Sequence, residues 1–317
     1  MTSPIKVRIG AVCWCAFIYF TVASLAHGHW TVALLLLAAL VLMPMTWCLA
    51  RDLDDTGWAA RLWKFDLHLQ LPAALLLIPA FLLPVGPGAM LCALPWALLL
   101  VVMGVDGLIR IRRHGFAPLG VFCRDMGLVY ASIGGVWLLA NRCGWSPLGF
   151  APHIVLLTAV HFHYAGLILP VVASLVLARR STCPLAMVSS VMVLFGVPLV
   201  AISILLSSRG GPAWFESVAA WILALGGLGV AVQHIVLAVL ERSVRPVVRG
   251  LWFIAGVALA IGMVLAALYS SRTYLDPLPW LDVPWMRMVH GSLNSLGFAL
   301  AALLAWCRAG RKCCCGN

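Results

Sequence analysis

The apolar positions of this chain fall into ten stretches, and polar and charged residues collect between them. The stretches run near 9–26, 30–50, 65–83, 89–109, 121–140, 152–178, 184–206, 213–240, 251–271 and 288–307. Each meets or approaches the about twenty residues that a helix needs to cross a bilayer. Pro72 and Pro79 interrupt the third. Proline is tolerated in a membrane helix when neighbours satisfy the freed carbonyls, so a kinked span is expected there. No soluble domain fits between the stretches. The pattern predicts an all-α, polytopic transmembrane helix bundle of about ten spans, with residues 1–317 forming a single integral membrane domain.

Charge gives this array a direction. Ten spans place both termini and the even-numbered loops on one side, which carries 17 of the 21 Lys and Arg; the other side carries only Arg142, Arg209, Arg272 and Arg287. Basic residues resist translocation, so both termini are expected in the cytoplasm. The expected location is a bacterial cytoplasmic (inner) membrane, with the lipid bilayer as principal partner. The net charge of +11 is then a matter of topology and implies no nucleic acid.

Composition supports this reading. Hydrophobic residues make up 63% of the 317 and charged residues 10%, with a mean hydropathy of +1.05. A soluble domain carries about a quarter charged residues, so a soluble enzyme and a disordered chain are excluded. The eleven cysteines form no pairing framework. Most, including Cys48, Cys92, Cys143 and Cys183, read as small hydrophobes within apolar runs. Cys313, Cys314 and Cys315 are expected on the reducing side. The basic N-terminus lacks a small-x-small cleavage site before His27, so a retained first helix is expected.

A charge at the bilayer centre costs about 2.5–3.5 kcal/mol even on the lenient scale, so polar residues inside the spans need a reason. The carboxylates fall at span edges (Asp66 opens the third span, with Gln70 one turn on), and no buried proton relay is visible. Histidine differs. The sixth span carries Thr158-Ala-Val-His161-Phe-His163-Tyr164-Ala-Gly166 and the tenth opens with His290-Gly-Ser292-Leu-Asn294-Ser-Leu-Gly-Phe298, while the eighth holds Gln233-His234. Residues two apart on a helix point about 200° from one another, so His161 and His163 cannot grip one ion from a regular helix. His290 and Asn294, four apart, share a face. The run 272–287 holds three prolines that preclude a regular helix there. Trp280 and Trp285 within it read as headgroup-level anchors or as a lid.

The blocks 158–166 and 290–298 resemble the signature segments of the YndJ-like family of bacterial multi-pass membrane proteins. The H-F-H-Y core of the first is the more specific. The resemblance implies a polytopic membrane fold in which His161, His163, His290 and Asn294 are the shared polar positions, and it brings an occasional transporter label. Longer members carry further sequence after the membrane part.

Two functional classes follow. The first is an integral-membrane enzyme doing His-based acid/base chemistry (isomerisation, cyclisation or hydration) on a lipophilic small molecule, since imidazole titrates near working pH. Its expected catalytic residues are His161, His163, Tyr164, His290 and Asn294, in an outward-facing site. Thr158, Gly166, Ser292, Gln233, Trp280 and Trp285 are expected to bind substrate. No cofactor is required, although haem or a divalent metal could be held by His161, His163 or His290. The second class is a multi-pass transporter or permease using the same histidines. A purely structural histidine cluster is the plainer reading of both.

Overall fold

The computed structural model describes residues 3–21, 27–51, 68–275 and 278–310. Among these residues the regular structure is helical, without strands. Among the described residues, nine helices are long and apolar enough to cross a membrane: α1 (Pro4–Thr21), α2 (His29–Ala50), α4 (Pro87–His114), α5 (Leu119–Cys143), α6 (Pro152–Arg179), α7 (Pro184–Ser207), α8 (Ala213–Leu240), α9 (Pro246–Ser270) and α10 (Val283–Ala309). The shorter apolar helix α3 (His68–Leu82) occupies the third predicted span. The protein is thus a multi-pass membrane protein. Asp66 and the tail cysteines Cys313, Cys314 and Cys315 lie outside the described residues.

Proline shapes the helix starts. Pro87, Pro152, Pro184, Pro246 and Pro284 each stand in a first turn, where the missing N–H would have no intrahelical partner anyway. This moves one boundary from its expected place. The expected irregular run 272–287 ends early, because Pro284 opens α10, and Asp282 caps the helix by accepting from the backbone N–H of Trp285 at 3.0 Å. His290 therefore sits seven residues beyond Val283, about 10 Å along the helix.

The chain divides into two compact units. One comprises the described residues within 1–116 and 124–171; the other comprises those within 117–123 and 172–309. In the first unit, the α2 segment Ala38–Leu42 is a wider π-helical turn. Gln70 of α3, fully buried, donates to the Ala39 carbonyl there at 2.8 Å. Small residues seat α4 on α5: a Cβ on Gly104 would stand 2.7 Å from that of Ser132. At the basic end of α4, Asp106 and Arg110 form a 2.8 Å ion pair, as their i,i+4 spacing predicts, with Arg110 only 1% exposed. Arg110 also reaches the Ala50 carbonyl at 3.4 Å.

The second unit packs α7, α8 and α9 through the same kind of close approach. A Cβ on Gly229 would meet the Cβ of Ser189 at 2.5 Å, and one on Gly256 the Ala231 carbonyl oxygen at 2.7 Å. With no hydrophobic drive between helices in lipid, backbone proximity and van der Waals contact hold such neighbours together.

Candidate functional site

Both polar blocks lie where the helix widens. Phe162–Ile168 of α6 is π-helical, as are Met286–His290 and Leu293–Leu300 of α10. Such turns are rare, and they recur at functional sites. Widening the ladder shifts the N–H partners of nearby carbonyls, and the polar side chains of both blocks engage carbonyls one turn back. Thr158 donates to Ile154 O at 2.9 Å, and the Nδ1 atoms of His161 and His163 meet Leu157 O at 2.9 Å and Ala159 O at 2.7 Å. In α10, Ser292 donates to Met288 O, Ser295 to Gly291 O at 2.7 Å, and Asn294 Nδ2 to His290 O at 2.8 Å. Much of the polarity that stands out in the sequence therefore serves the helix backbone.

In the first unit, His161 and His163 leave α6 on opposite sides. His161 is exposed, whereas His163 is 1% exposed. The His163 ring lies against α5 at Gly134, where a Cβ would stand 3.0 Å from Nδ1. Its Nε2 accepts the indole N–H of Trp96 (α4) at 3.1 Å. Trp has a donor only, so Nδ1 carries the proton toward Ala159 O and the ring is neutral. Tyr164 donates its hydroxyl to Leu34 O of α2 at 2.8 Å. Gly166 packs toward α5, 3.3 Å from Tyr130 Cβ measured from an added Cβ.

In the second unit, His290 and Asn294 share a face, as their spacing predicts, and both are half-buried. The His290 Nδ1–H meets Gly262 O of α9 at 2.9 Å, and the Asn294 amide nitrogen lies 3.2 Å from the same Nδ1. Gly262 makes room for this pair, since a Cβ there would stand 2.6 Å from Asn294 Nδ2. Ser292 is half-buried one position along. Trp280 and Trp285 are exposed and pack edge to face with centroids 6.3 Å apart.

The sequence understated three features. His234 repeats the arrangement of His163: fully buried, it accepts the indole N–H of Trp306 at 3.1 Å while Nδ1 meets Val230 O at 2.9 Å. Asp125, which composition placed at a span edge, is 0% exposed and is held by Arg124 at 2.9 Å and His114 at 3.7 Å. Cys183 lies in the connection before α7 and serves as that helix's N-cap residue, outside the apolar run. No three metal-ligating side chains group together among the described residues.

No solved structure matches this chain. It is 26% identical over 184 residues to the protein called uncharacterized membrane protein YndJ of Bacillus subtilis (strain 168), an alignment that takes in 57% of this chain and 31% of that one. The chain thus spans about a third of the curated relative it matches. The profile of YndJ-like proteins matches residues 33–298, a range that takes in both polar blocks. The chain belongs to the YndJ-like family of membrane proteins.

Proposed function

We propose that this protein is an integral-membrane enzyme of the bacterial cytoplasmic membrane that performs histidine-based acid/base chemistry on a lipophilic small molecule, with His290 and Asn294 at its centre. The observation that carries this reading is the half-buried His290–Asn294 pair, set on a π-helical turn against the bare backbone of Gly262. A polar pair in an apolar span is costly, and its presence there points to use. His163 and His234 are sealed in the core with both ring nitrogens bonded, and His161 faces outward, so the acid/base role falls to His290. Its imidazole, oriented by Gly262 O, would exchange a proton with the ligand, Asn294 would present its amide beside the ring, and Ser292 would offer a further hydroxyl.

The test compares chromatographically resolved lipid extracts from a deletion strain complemented with the wild type, with His290→Ala or with Asn294→Ala. A species that accumulates in the deletion strain should disappear with the wild type and persist with His290→Ala. Identical extracts from all strains would sink the enzyme reading. A change confined to solute uptake or efflux would instead favour a permease.

A further inference from the structure

At the basic end of the second unit the chain turns from α6 into α7 through Arg180 and Cys183, beside Gln233 of α8. Three features converge on the Cys183 sulfur. It sits at the N-terminus of a 24-residue helix, where unpaired N–H groups and the helix dipole favour negative charge. The Gln233 Nε2 lies 3.4 Å from Sγ and a guanidinium nitrogen of Arg180 lies 3.9 Å from it. Gln233 is itself only 2% exposed, and its Oε1 has no partner, as is also true of the Arg180 Nε. A buried amide oxygen left unmatched is unfavourable, a deficit that a bound donor would remove. Cys183 as a residue is half-buried.

We propose that Cys183 is a nucleophilic thiol that forms a mixed disulfide with a low-molecular-weight, peptide-like thiol. The thiolate attacks one sulfur of the small-molecule disulfide. A new S–S bond forms at Cys183, the old one breaks, and the electron pair leaves with the second thiolate, which takes a proton from water. Cys183 is oxidised and one half of the small-molecule disulfide, the oxidant, is reduced and released as one equivalent of thiol. An amide N–H of the adduct would satisfy Gln233 Oε1, and a carboxylate would face Arg180. The neighbouring Arg179 is already paired with Glu241 at 3.6 Å. The backbone N–H of Ala186, followed by Arg180 and Gln233, holds the thiol below its ordinary range against the opposing effect of burial, so thiolate is present at lower pH than for a free cysteine.

The experiment treats the full chain in detergent with oxidised glutathione and maps adducts by peptide mass spectrometry across a pH series. Cys183 should react about tenfold faster than Cys92 or Cys307 at pH 7, with a rate midpoint below the ordinary thiol value of about 8.5. Arg180→Met and Gln233→Leu should each slow the reaction several-fold, and Cys183→Ser should remove the adduct. Labelling of Cys183 no faster than Cys92, or a midpoint at or above the free-thiol value in the wild type, would overturn the proposal without recourse to any variant.

Discussion

The indole N–H of Trp306 donates to Nε2 of His234 at 3.1 Å, while the other ring nitrogen of that histidine meets a carbonyl four residues back. Trp96 and His163 make the same two bonds. In each case a buried imidazole is matched on both sides, and the ring joins two helices that sequence order keeps far apart. These histidines hold helices together. Trp96→Phe or Trp306→Phe keeps most of the apolar volume but leaves a buried imidazole nitrogen unmatched, at a cost of about 1–3 kcal/mol. Thermal unfolding in detergent should show a lower midpoint for each.

His161 and His163 separate in the same assay. His163→Leu removes the acceptor for Trp96 and should destabilise by about 1–3 kcal/mol. His161→Leu alters an exposed ring bonded only to its own backbone in the α6 turn and should fall within about 0.5 kcal/mol of the wild type. Equal losses for the two would contradict their placement on opposite sides of α6.

The Asp106–Arg110 pair offers a test of buried charge. Asp106→Ala takes the ion-pair carboxylate away from a guanidinium that is 1% exposed, and breaking such a pair costs about 3–5 kcal/mol. The double variant Asp106→Leu with Arg110→Met should recover much of that loss, as measured by chemical unfolding. Failure to recover would mean that the Arg110 bond to Ala50 O matters more than the ion pair.

Two glycines of α9 should respond with opposite sign. Gly256→Ala drives a Cβ into the Ala231 carbonyl, so α8 and α9 must separate, and overpacking of this kind costs about 1–3 kcal/mol. Gly250 has open space around its missing Cβ, and Gly250→Ala should gain about 0.8–1.0 kcal/mol in helix propensity. Unfolding midpoints of the two variants on either side of the wild type would show that small residues are retained in α9 for contact, position by position.

The helical array was legible because hydrocarbon imposes a simple rule: twenty apolar residues, then a polar break. Even the proline-interrupted third span has its helix. The pairing of Asp106 with Arg110 and the shared face of His290 and Asn294 were legible too, since both follow from helical spacing alone. What escaped depends on partners distant in sequence. Nothing near His234 announces Trp306, 72 residues on. The wide turns of α6 and α10 do not show in hydropathy, which reads an apolar run alike whether its ladder is regular or wide. Asp125 looked peripheral because its position in the chain says nothing about which helices close over it. Cys183 looked like a small hydrophobe because hydropathy averages over the four-residue break, 180–183, in which it lies.

The wide segment Leu293–Leu300 lies between His290 and Trp306 on one rod. Each residue of an α-helix turns the axis by about 100°, so excising one residue from this stretch would restore a regular ladder and swing everything beyond it by about that angle. His290 and Asn294 would keep their seat on Gly262, and the indole would swing away from His234. The wide stretch works as a gear tooth: it lets one helix present its imidazole end and its indole end to two different neighbours in the correct phase at once.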